Sequence, residues 1–185
     1  CRQYDGHFGV MDAPQLFSRM RQVSGAWRLI LDIGRPDKTV LSGMLDRLKE
    51  LCAGDRYWQK HLFVRLQGKY DVEEVQKAGL PVQLMYYVPV KEKREEKNLT
   101  AKAIARYCKK QNIQWVSMPK EAVEESVMAC LKQEGMRVCV FSYDTYTEAL
   151  MASGLGADWI GTSCLSPACY EQWYEKSRIL VFGRS

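Results

Sequence analysis

Few side chains in this sequence are placed to do chemistry. Asp32 stands inside the otherwise apolar run 27–33 (WRLILDI). A carboxylate there is costly unless it reaches a cleft or a partner. The two histidines, His7 and His61, fall in a loop and at a strand start, and neither has the spacing of a metal ligand or of a nucleophile's base. The seven cysteines are Cys1, Cys52, Cys108, Cys130, Cys139, Cys164 and Cys169. Most lie beside Leu, Val or Ala, where cysteine behaves as a small hydrophobe. Their odd number and the absence of metal-type spacing point to reduced thiols in a cytoplasmic setting, with Cys164 and Cys169 close enough to pair. No GxxxxGK[ST] phosphate loop occurs, and Gly34-Arg35-Pro36 is not a glycine-rich dinucleotide turn.

The elements that must position these groups follow from periodicity. The span 136–163 (MRVCVFSYDTYTEALMASGLGADWIGTS) contains a complete strand–helix–strand unit. Residues 138–141 are β-prone, Asp144 or Thr145 caps a helix over 146–153, and 158–162 is the next strand. Earlier strands are predicted at 27–33, 61–66, 82–88 and 113–117. Helices are predicted at 13–23, 37–52, 71–78, 99–110 and from Pro119 to 134, with Pro119 in the first turn. Val40, Leu41, Met44, Leu45, Leu48, Leu51 and Cys52 form the apolar positions of the second helix. Six strands alternating with helices and lacking hairpin turns describe a parallel α/β domain whose sheet is covered on both faces. A last helix at 167–177 and a strand at 179–182 complete the pattern. By this pattern alone, an eight-stranded barrel and an open doubly wound sheet both remain open.

Composition narrows the class. At 185 residues, the chain holds one sizeable core and is too short for two comfortable domains. The hydrophobic share of 46%, the charged share of 26% and the net charge of +5 are ordinary for a globular protein. The densest charged run, 91–97 (KEKREEK), nearly cancels itself and reads as a solvated loop or helix start, not a nucleic-acid surface. No apolar run is long enough for a transmembrane segment. A chain that opens on Cys1 reads as a fragment of a longer one.

The segment 138–144 (VCVFSYD), the helix after it and 154–163 (GLGADWIGTS) resemble the final two strands of the glycerophosphodiester phosphodiesterase family. That family's pattern is V-x-V-W-T-V-N, a helix with E-A near its start, then G-x-D-x-I-x-T-D. Phe141 stands at the aromatic, Ser142 at the Thr and Asp144 at the Asn. Thr162 matches, and Ser163 replaces the closing Asp. The segments 4–17 and 29–34 resemble the family's approach to, and passage through, its acidic strand. There Asp32 takes the place of a metal ligand, and Gly34 replaces a phosphate-facing Lys.

The resemblance implies a parallel (β/α) TIM-type barrel, incomplete, with the third to eighth strands present over 1–177 and a C-terminal strand or further segment at 178–185. It implies metal-dependent hydrolysis of a small-molecule phosphodiester in lipid metabolism, with Asp32 on the metal and Gln67, Tyr87 and Phe141 on the substrate. The cofactor, if there is one, is a divalent cation, Mg²⁺ or Ca²⁺. The family's catalytic histidines belong to the first two strands, so no catalytic residue is assigned and the chain alone is expected to be inactive. A partner chain or a preceding segment would then complete the barrel. Two rival readings stand beside this one: a non-catalytic binding or regulatory barrel, favoured by Gly34 and Ser163, and an open α/β sheet that binds a phosphorylated small molecule at 154–161.

Overall fold

In the computed structural model, which describes residues 12–22, 28–34, 37–52 and 55–163 with the side chains of Lys69 and Tyr70 set aside, helices and strands alternate as the periodicity requires. Contacts divide the chain into two units that meet in sequence at Tyr87 and Val88. The expected elements at 167–177 and 179–182, and the boundary at 177, lie outside the described residues.

The first unit contains α1 (Ala13–Gln22), β1 (Leu29–Asp32), α2 (Lys38–Cys52), α3 (Trp58–His61), β2 (Leu62–Leu66), α4 (Lys69–Ala78) and β3 (Gln83–Tyr87). Its strands run parallel in the order β1-β2-β3, with Leu29 beside Leu62 and Phe63 beside Gln83. Local chemistry sets the helix starts. Asp12 Oδ1 accepts the Gln15 amide at 2.8 Å, and Asp37 Oδ1 accepts the Val40 amide at 2.9 Å. The core joins Phe17, Leu48, Cys52, Trp58 and Leu62, with Leu29 and Leu31 packed against it.

Only one stripe of α2 is buried, through Leu41, Leu45, Leu48 and Cys52. Val40 and Met44, expected on the apolar side, are exposed. Steps of four, three and four residues keep a single face in register, and 40 and 44 fall on its flank. The one-turn helix α3 was not expected from the sequence; it starts at Trp58, which is fully buried.

The second unit contains α5 (Lys91–Glu96), α6 (Ala101–Lys110), β4 (Trp115–Pro119), a 3₁₀ turn (Lys120–Ala122), α7 (Glu125–Gln133), β5 (Arg137–Phe141), α8 (Tyr146–Gly154) and β6 (Trp159–Gly161). The strands run parallel in the order β4-β5-β6. Thr100 and Thr145 are side-chain caps, accepting the amides of Ala103 at 3.1 Å and Glu148 at 3.3 Å. Pro119 does not lie in the first turn of α7. It ends β4 opposite Phe141, and α7 begins only after extended Val123 and Glu124. The fixed φ of proline suits a strand end as well as a helix start, and here strand pairing decides. The charged run forms α5 and buries Arg94, which donates to the carbonyls of Pro89 (2.9 Å) and Ala122 (3.4 Å) and to Glu124.

Candidate functional site

Strand alternation sorts the side chains by face. In the first unit Leu29, Leu31, Leu62, Val64 and Leu66 share one face, and Leu29, Leu31 and Leu62 pack with α1 and α2 residues in the core. The other face carries Ile30, Asp32, Phe63, Arg65, Gln83 and Met85. Strand alternation puts Tyr87 on that same face at the C-terminal end of β3. Two sequence-predicted residues, Asp32 and Tyr87, therefore lie on one face at one end, and Gln67 directly follows the last residue of β2.

The structure adds a residue that sequence reasoning missed. Arg65 is the register partner of Asp32, and its Nη2 donates to Asp32 Oδ2. Asp32 Oδ1 accepts the backbone amide of Gly34 at 3.2 Å, where Gly34 has a φ of 68° that favours glycine. The Arg65 hydrogen bond holds the Asp32 carboxyl below its usual range, and partial burial opposes it. The available signal was an arginine inside the apolar strand LFVRL, costly there without an acid. Among the described residues no group of three or more His, Cys, Asp or Glu side chains is assembled to hold a metal. With both Asp32 oxygens engaged and a guanidinium on one of them, the described residues do not fit a divalent cation.

In the second unit Val116, Met118, Val138, Val140 and Ile160 share one face. Trp115, Ser117, Cys139, Phe141 and Trp159 share the other, and Trp115 stacks on Trp159 at 3.9 Å at the N-terminal strand ends. Phe141 stands half-buried at the C-terminal end, against Gly161. A Cβ on Gly161 would come within 3.0 Å of the Phe141 Cβ, so glycine permits that approach. Ser142 follows with a left-handed φ of 69°. Beyond it, Asp144 Oδ1 accepts Thr162 Oγ1 at 3.2 Å, the Ser163 amide at 3.1 Å and Ser163 Oγ at 3.0 Å. Those Ser163 bonds, the amide first, lower the Asp144 pKa.

Other sequence candidates lie elsewhere. Asp158, the matching acid of the G-x-D motif, accepts the Val138 amide and Lys132 Nζ, both at 2.7 Å, at the opposite strand end. His61 ends α3 just before β2 and stacks on Tyr57 at 4.3 Å, also away from the C-terminal ends. His7, Arg35, Cys1, Cys164 and Cys169 lie outside the described residues. Cys52, Cys108 and Cys139 are buried, and Cys130 is half-buried. No described helix is long and apolar enough to cross a membrane.

No family model matches the sequence, and no curated protein matches it significantly. Solved structures do. A phosphodiesterase of Oleispira antarctica in complex with its product sn-glycerol-3-phosphate is similar at a TM-score of 0.62 and 13% identity, covering 90% of this chain and 60% of that one. A glycerophosphodiester phosphodiesterase of Parabacteroides distasonis is similar at a TM-score of 0.62 and 12% identity, covering 89% and 64%. The chain thus spans less than two thirds of the length of these proteins. The likeness decides between the two architectures left open by periodicity. The fold is that of the glycerophosphodiester phosphodiesterases, a parallel (β/α) TIM-type barrel, of which the described residues supply six strands.

Proposed function

We propose that this chain is the ligand-binding part of a glycerophosphodiester phosphodiesterase-like barrel, and that by itself it binds a small phosphodiester or phosphomonoester without hydrolysing it. The observation that carries the reading is the gathering of Asp32, Arg65 and Tyr87 on one sheet face at the C-terminal strand ends, with Gln67 directly after β2, where enzymes of this architecture keep their sites. Support for the ligand class comes from the neighbour that holds sn-glycerol-3-phosphate. Gln67 and Tyr87 supply neutral hydrogen-bonding groups suited to glycerol hydroxyls. Hydrolysis would need a base and an acid near the scissile bond. His61 is at the wrong strand end for either role. A divalent cation would supply Lewis acidity, but the described residues do not fit one, and no step is assigned to it.

A non-catalytic regulatory barrel is the second reading. It is favoured by Gly34, whose left-handed backbone stands where the family has a lysine. Incubating the chain with glycerophosphocholine and Mg²⁺, Ca²⁺ or Mn²⁺ should release no product, while calorimetry should detect binding of sn-glycerol-3-phosphate. Metal-dependent turnover would overturn the claim of inactivity. An absence of binding would overturn the ligand class.

A further inference from the structure

The Asp32–Arg65 pair inverts the electrostatics that the sequence resemblance implies at this strand end. A carboxylate reserved for a metal would face solvent or other acids. Here it faces a guanidinium, and its second oxygen is taken by the Gly34 amide. The Arg65 side chain is 19% exposed and that of Asp32 is 41% exposed, so the pair is partly desolvated yet reachable. Such a pair gains little stability over an apolar one.

We propose that Arg65 is the phosphoryl-binding cation of this site and that Asp32 is the residue that positions it, so that the site takes an oxyanion and not a divalent metal ion. This deepens the proposed function and rests on it. A guanidinium presents five N–H donors in a planar fork that matches the oxygens of a phosphoryl group. Asp32, on the neighbouring strand, accepts from the Nη2 end of that fork and so orients it. Arg65 thereby supplies from β2 the positive charge that Gly34 does not supply beyond β1.

The test is a set of thermal-shift and NMR titrations with inorganic phosphate, sn-glycerol-3-phosphate and Ca²⁺. Four proteins are compared: the unaltered chain, Arg65→Gln, Arg65→Lys and Asp32→Asn. Phosphate should raise the melting temperature of the unaltered chain. Arg65→Gln should weaken phosphate binding about ten-fold or more, and Arg65→Lys should retain part of it. Ca²⁺ should give no response that depends on Asp32. If Arg65→Gln does not fold, the paired change Arg65→Met with Asp32→Leu restores an apolar contact and should fold without responding to phosphate. Equal phosphate binding with and without Arg65 would overturn the inference while leaving the ligand class standing. So would Ca²⁺ stabilisation that Asp32→Asn removes. If the unaltered chain binds neither phosphate nor sn-glycerol-3-phosphate, the ligand class fails and the inference fails with it.

Discussion

Asp144 Oδ1 accepts both the amide and the hydroxyl of Ser163, at 3.1 and 3.0 Å. In the family pattern the first of these positions is Asn and the second is Asp. Here the carboxylate stands on the β5 side of the contact and the small donor on the β6 side. The acid of the family pattern and the acid here therefore stand on opposite sides of this contact. Asp144→Ala should lower the melting temperature more than Ser163→Ala, because the alanine at 163 keeps the amide donor. The double change Asp144→Asn with Ser163→Asp should recover part of the loss seen in Ser163→Ala. A double change that melts as the sum of its single changes would argue against a reciprocal exchange.

Arg94 ties the segment after β3 to the 3₁₀ turn after β4, through Pro89, Ala122 and Glu124. Arg94→Met removes every one of those bonds. Breaking a buried pair in this way costs about 3 kcal/mol or more, and the lower end applies because the Glu124 side chain is 36% exposed. Glu124→Gln keeps an acceptor and should cost about 1 kcal/mol. Urea denaturation of both variants measures the difference, and equal costs would show that the carbonyl contacts contribute nothing.

Burial pushes the thiol of Cys52 from 9.0 up to about 11 and that of Cys108 up to about 12. The folded chain therefore holds these protons after the unfolded chain has lost them. The stability linked to them is complete below about pH 9 and declines as pH rises toward 11 and 12. At pH 8 a thiol reagent followed by peptide mass spectrometry should label half-buried Cys130 well before Cys52 and Cys108. Early labelling of the latter two in the native protein would contradict their placement. The acid limb has the opposite sign. Asp32 and Asp144 are lowered from 3.8 by their partners, so their contribution is present above that value and lost as pH falls through the lower folded-state values.

The strands were legible as short apolar runs, with Gly34 closing the first and Pro89 the third, and the cap of the helix after β5 was legible only as Asp144 or Thr145, of which Thr145 is the one that accepts the Glu148 amide. Pro119 was not, since the same ring constraint serves a strand end and a helix start, and only the partner Phe141 distinguishes them. Arg94 was hidden in a run whose charges balance, where nothing local marks the one side chain that turns inward. The site was half legible. Asp32 announces itself by its cost inside an apolar strand, but what meets that cost lies on the next strand, and the pairing register that brings Arg65 there is not written in either segment alone.

Within each unit every strand lies beside the one made just before it, so that Trp115 meets Arg137 and Cys139 meets Trp159 with only helical excursions between. Assembly on the ribosome can then proceed by accretion, each new segment annealing to a template already laid down. No earlier piece has to wait for a distant one before it finds its neighbour.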